Sequence, residues 1–251
     1  MIIAAAGDFD TSEMRNELEA RFNAWPARNP SPQKIEQPVP MKGRRLLLID
    51  KPDSTQTYFD IGNLGVSRTN PDRVAISVVN TLFGGRFTSM LNSALRVDSG
   101  LTYGARSTFD QFALPGPFII ATYTRNATTE KAIDMALQVL SNLHEKGISE
   151  DELESAKAYM KGQFPTSIET SDRLASTIAR LDFYGLDETD INSYYARIDA
   201  MTVADARRII TQYFPMENLV FVLIGKSSEI QSLAKKYATT IDLKAISQPG
   251  F

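Results

Sequence analysis

The chain has 251 residues, with 27 Lys plus Arg against 30 Asp plus Glu (net charge -3), 43% hydrophobic and 23% charged residues. These are globular proportions, which exclude disorder, a collagen repeat and a coiled-coil array, and the near-balanced charge lacks the basic face that nucleic acid requires. The absence of cysteine removes disulfides, thiolate metal ligands and thiol nucleophiles, and the single histidine, His144, leaves little other metal or acid-base chemistry.

Taken in chain order, the apolar run 2–6 is too short to span a membrane and reads as a buried strand ending at Gly7. Asp10 with Glu13 reads as a capping box for a helix with Met14, Leu18 and Phe22 on one face. Pro26, Pro30, Pro32, Pro38 and Pro40 then crowd a segment without apolar periodicity, the composition of an extended linker. The expected organisation is therefore a strand-Gly-helix tail over 1–28, a linker over 29–44 and one domain over 45–251.

Two neighbouring strands are expected over 45–50 and 55–64. Pro71 opens a helix with Val74, Ala75, Val78, Val79 and Leu82 at helical spacing, stopped by Gly84 and Gly85. A second helix from Thr88 carries Leu91 and Leu95 and ends at Gly100, followed by strands over 102–109 and 117–124. Helices are expected over 129–146, from a Ser149–Glu152 capping box towards Phe164, and over 171–184, 188–198 and 202–214. A strand over 219–224, Gly225 and a helix with Ile230, Leu233, Ala234 and Tyr237 on one face close the chain.

Adjacent strand pairs followed by clustered helices predict an α+β fold, a two-layer sandwich with a mostly antiparallel sheet packed on one side by helices. The closing strand-Gly-helix unit repeats the opening one, which suggests a duplicated architecture and makes residues 1–28 the tail of an upstream copy. No stretch approaches 18 uninterrupted apolar residues, so a soluble chain without a membrane span is expected, cytoplasmic or periplasmic.

His144 falls at a helix C-terminus before Gly147, where the helix dipole favours a half-buried histidine, and Glu145 alone does not complete a metal site. Asp151 and Glu152 sit in a helix N-terminal turn, where negative charge has a structural cause. Gly84 and Gly85 follow a helix and lack the Lys-Ser/Thr of a phosphate loop. Arg96 lies off the Leu91/Leu95 face at its helix end, and Tyr103 lies seven residues on, in an expected strand. The turn between them can bring both to one rim, where a guanidinium would bind carbonyls or carboxylates and a phenol would donate to an oxyanion. The same spacing also allows a cation closing a helix and a core tyrosine with the parity of Leu101 and Ala105.

The segment Leu82-Phe83-Gly84-Gly85-Arg86-Phe87-Thr88-Ser89 through Leu91-Asn92, Leu95-Arg96 and Gly100-Leu101-Thr102-Tyr103 resembles the C-terminal half-domain of the inverzincin metallopeptidases, the pitrilysin, insulin-degrading enzyme and processing peptidase family. The Ala6-Gly7-Asp8-Phe9-Asp10 opening and the Val222-Leu223-Ile224-Gly225 close also resemble domain ends of that family. The resemblance implies a half-domain without the H-x-x-E-H zinc motif, inactive alone. Zinc, which polarises the scissile carbonyl and activates water, would be carried by a catalytic domain or subunit, in a homo- or heterodimer where the halves are separate chains. The family's Arg and Tyr correspond to Arg96 and Tyr103, expected to bind peptide substrate across a chamber from the zinc. Gly84 and Gly85 match the place of a glycine-rich substrate loop, shorter here. The alternative implied by the family is a structural or assembly subunit with no peptidase role.

Overall fold

In the computed structural model, which describes residues 1–26 and 35–248, hydrophobic alternation along the strands builds one sheet. Among the described residues it has six strands: β1 (Arg45–Asp50), β2 (Gln56–Leu64), β3 (Ala105–Gln111), β4 (Pro115–Arg125), β5 (Val220–Gly225) and β6 (Thr240–Ala245). Their order is β3-β4-β2-β5-β1-β6. The β3–β4, β4–β2 and β2–β5 pairs are antiparallel, and β1 runs parallel to both β5 and β6.

Because successive side chains point to opposite faces, Leu46 and Leu48, Phe59 and Ile61, Phe118 and Ile120, and Phe221 and Leu223 share one buried face. Helices cover it. After α1 (Thr11–Phe22) come α2 (Arg73–Asn80), the short α3 (Met90–Asn92), α4 (Thr129–Lys146) and α5 (Glu150–Gln163). Then follow α6 (Ser171–Phe183), α7 (Thr189–Asn192), α8 (Tyr194–Asp199), α9 (Val203–Tyr213) and α10 (Ser227–Tyr237). Ile76 and Val79 of α2, Ile133 and Leu140 of α4, Ile209 of α9 and Ile230 of α10 are fully buried in the layer against the sheet. At its centre Phe214 lies edge-on to Phe83 (5.6 Å), Phe109 (5.1 Å) and Phe118 (5.3 Å).

The expected α+β sandwich is the fold observed, and several boundaries follow from their caps. The helix over 129–146 is α4 itself, and Ser149 and Glu152 exchange both bonds of the capping box that opens α5. Thr202 and Asp205 do the same for α9. His144 is half-buried at the end of α4, its Nε2 donating to the Phe214 carbonyl at 2.8 Å, which fixes the proton on that nitrogen.

Other expectations are corrected. Residues 2–6 form no strand, and Ile2 and Ile3 are exposed, because no neighbouring strand satisfies their backbone. Asp10 does cap α1, accepting from the Ser12 and Glu13 N–H groups, and Met14, Leu18 and Phe22 are its half-buried positions, but α1 buries no residue fully. Residues 27–34, the end of the expected tail and the 29–34 part of the expected linker with Pro30, Pro32 and the 28/29 boundary, lie outside the described residues. β1 and β2 are not neighbours: β5 from the far end of the chain lies between them. The 188–198 segment divides into α7 and α8, and β6 is a strand the sequence reading did not anticipate.

The apolar stretch Arg73–Asp98 is long and apolar enough to cross a membrane by length and composition. Here it is broken at 86–89 and carries Ile76, Val78, Phe83, Leu91 and Leu95 into the core. Its first helix passes from α2 into a π turn, Thr81–Gly85, and ends at the glycine pair as expected.

The packing of Phe214 between two layers predicts that Phe214→Ala costs about 3–5 kcal/mol of stability, read as a lowered midpoint in urea unfolding with little change of slope.

Candidate functional site

The face of the sheet opposite the helices carries Tyr58 and Asp60 of β2, Ala121 and Tyr123 of β4, and Val222 and Ile224 of β5. Tyr58 and Tyr123 are register partners and stack at 5.1 Å. A groove of about 710 Å³ runs over these residues and is bounded by Gly84, Gly85, Phe87, Asn92, Arg96 and Tyr103.

The rim is set by a chain of local bonds. Ser89 caps α3, and a π turn, Ser93–Asp98, extends it to Arg96. Gly100 then adopts φ +60, the left-handed region that favours glycine. The Leu101 N–H reaches back to the Leu95 carbonyl at 2.9 Å and the Gly100 N–H to the Arg96 carbonyl at 3.2 Å. This pair of nested bonds closes the helix end around a left-handed glycine, one residue wider than a Schellman turn, with half-buried Leu101 packing on the core beside Leu95. Beyond it, Thr124 Oγ1 donates to the Leu101 carbonyl (2.7 Å) and Thr122 Oγ1 to the Gly104 carbonyl (2.8 Å), clamping the 101–104 loop to β4. Asn92 accepts from the Ala105 N–H at 3.2 Å and donates to the Phe87 carbonyl at 2.7 Å, tying both sides of the rim together.

The loop brings Arg96 and Tyr103 into contact. The Arg96 guanidinium carbon lies 4.4 Å from the centre of the Tyr103 ring and 4.7 Å from that of Phe87. Two rings over the guanidinium hold it by cation–π attraction, while its N–H donors lie in the guanidinium plane. No hydrogen bond or ion pair to the Arg96 guanidinium, and none to the Tyr103 hydroxyl, forms among the described residues. Tyr103 is 74% exposed and precedes β3, so the expected placement in a strand, and the alternative of a core tyrosine, are both corrected. The parity argument fails because Gly100 and Gly104 make the 100–104 segment a turn.

Gly84 is buried where the π turn crosses β3: a Cβ there would stand 2.3 Å from Ser107 Oγ and 2.4 Å from Ser107 N. Asn80 pins the same crossing, donating to the Ser107 carbonyl at 3.0 Å. The groove wall at Gly84 is therefore bare backbone, and Gly85 beside it is exposed.

Two groove residues escaped the sequence reading, Phe87 and Asp60. Alternation along β2, with Phe59 and Ile61 facing inward, is the signal that would have put Asp60 on the open face. Partial burial among apolar neighbours raises its carboxyl above the usual carboxylate range, against the pull of Arg106.

Among the described residues no group of three His, Cys, Asp or Glu side chains could hold a metal ion. These residues do not fit a zinc site.

A raised folded-state value means that the folded chain holds this proton more tightly than the unfolded chain, so stability falls as pH rises above the ordinary Asp range. Asp60→Asn is expected to raise the unfolding midpoint at about pH 7 and to leave it unchanged at about pH 3, in paired thermal melts.

The model of the family described as the peptidase M16 inactive domain matches residues 1–160. An uncharacterized zinc protease of Streptomyces coelicolor is 26% identical over 217 residues, 83% of this chain and 46% of its own length. A protein of Helicobacter pylori named a non-peptidase homolog is 21% identical over 231 residues, 91% of this chain and 52% of its own. The chain thus spans about half the length of the curated relatives it matches. A crystal structure of a peptidase M16 inactive domain from Pseudomonas fluorescens aligns with a TM-score of 0.77 at 27% identity, over 87% of this chain and 52% of that one. With the fold and the family match in agreement, the chain belongs to the peptidase M16 inactive domain family of the zinc proteases.

Proposed function

We propose that this chain is the non-catalytic, substrate-binding half of a zinc-dependent metalloendopeptidase, completed by an H-x-x-E-H-bearing domain or subunit that carries the metal. The observation that supports it is the bracketed Arg96 guanidinium at the groove rim, beside a tyrosine hydroxyl without an acceptor of its own among the described residues. Packed core positions do not call for a half-buried guanidinium and an exposed phenol pre-positioned side by side.

In this reading Arg96 holds a peptide carbonyl or carboxylate through its in-plane N–H groups. Tyr103 donates to the oxygen on which negative charge develops. Gly84 and Gly85 let the substrate backbone approach a wall without side chains. β3, an edge strand next to the rim, offers main-chain groups to an extended peptide. The same reading makes 1–28 the tail of an upstream half-domain, 29–44 a linker and 45–251 the domain proper, in keeping with an α1 that buries no residue fully. Where the halves are separate chains, the assembly is a homo- or heterodimer.

A second reading, a structural or assembly subunit with the same fold, draws support from the Helicobacter pylori relative named a non-peptidase homolog. The two diverge in their response to the rim residues. On a quenched fluorescent peptide the chain alone is expected to be inert and its mixture with the zinc-bearing half active. Tyr103→Phe should then lower kcat about 10²-fold, and Arg96→Ala should act chiefly on KM, without loss of association. A mixture that associates and cleaves equally well with both variants would make Arg96 and Tyr103 structural and favour the scaffold.

A further inference from the structure

A second cavity, of about 270 Å³, shares no lining residue with the Arg96 groove and is formed by α2, α6, α7, α8 and the loop after β2. Arg68, Arg73 and Arg180 line it, together with Asp190. Asp190 serves three guanidiniums at once: Arg73, in direct contact, Arg197 at 3.1 Å and Arg68 at 3.7 Å. Arg73 is only 7% exposed, and the Asp190 side chain is 11% exposed.

The charges do not balance. Three clustered cations share one carboxylate, and Arg180 adds a fourth on the cavity wall with no ion pair among the described residues. Arg68 Nε and Arg197 Nε are buried and find no acceptor among the described residues. Buried guanidinium donors without acceptors cost several times what an exposed one does, and a like-charge cluster raises the cost further. An interior that carries such an excess is stabilised by an anion.

We propose that this cavity binds a compact oxyanion with two negative charges, of the phosphate or dicarboxylate class, held by Arg68 and Arg180 at its mouth with Arg73 behind them. Two negative charges match the excess left on the cavity-lining Arg68, Arg73 and Arg180 after Asp190. Planar guanidinium forks suit the paired oxygens of either class.

The test is binding of inorganic phosphate and of succinate to the full chain, by calorimetry and by thermal melts against chloride at matched ionic strength. A saturable rise in midpoint with phosphate, succinate or both is expected, and which of them acts tells the two classes apart. Arg180→Gln and Arg68→Gln should each weaken binding about tenfold or more, while Arg21→Gln on α1 leaves it unchanged. Arg180 is exposed and makes no ion pair among the described residues, so its variant folds even if that of Arg68 does not. No effect of either anion beyond that of chloride, or binding that Arg180→Gln leaves intact, would overturn the proposal.

Discussion

A backbone bond from the Leu101 N–H to the Leu95 carbonyl, made possible by Gly100 in the left-handed region, is what turns a helix end into the rim of the groove. Without it the segment after Arg96 would have no fixed direction, and Tyr103 would be an ordinary exposed tyrosine. With it, and with Thr122 and Thr124 holding the loop from β4, the Tyr103 ring is delivered over the Arg96 guanidinium at 4.4 Å. Phe87 and Tyr103 together restrict the Arg96 side chain before anything else meets it. The close approach of Gly84 to β3 has the same effect on the opposite wall, where the absence of a Cβ lets helix and strand meet.

These local devices depend on the sheet beneath them. The floor of the groove comes from β2, β4 and β5, strands far apart in the chain, and it is apolar enough to raise the Asp60 carboxyl. The core helices α2, α4, α9 and α10 pack on the other face, which leaves this one open as a groove. Membership of the peptidase M16 inactive domain family and a chain about half the length of its relatives stand beside a groove that faces outward and, among the described residues, no cluster of side chains that could hold a metal.

Much of this was legible in the residues, and the failures have physical causes. The bounds of α4 and β1 could be read because apolar periodicity and cap or turn residues agree at both ends. The position of β1 next to β5 could not, because parallel pairing across the whole chain leaves no local signal, whereas hairpin neighbours such as β3 and β4 are set by their turn. β6 was missed because an edge strand of mixed composition, Thr-Ile-Asp-Leu-Lys-Ala, buries little and so shows weak patterning. Residues 2–6 have strand composition but no strand beside them. At the site, Arg96 and Tyr103 were named from their motif, yet period-two parity put Tyr103 in a strand where two glycines make a turn. Phe87 lay inside the quoted segment without a role and Asp60 in no motif, and only the folded rim and the register of β2 reveal their part in the groove.

The decisive question is whether the rim faces the metal of the proposed catalytic half. With that half loaded with manganese in place of zinc and this chain labelled with ¹³C and ¹⁵N, paramagnetic broadening reports which side chains lie near the ion. Strong broadening of Arg96 and Tyr103, with Arg68 and Arg180 little affected, is the expected result. Unbroadened Arg96 and Tyr103 signals in a complex that still forms would contradict the assignment of this groove to the substrate-binding side of a shared site.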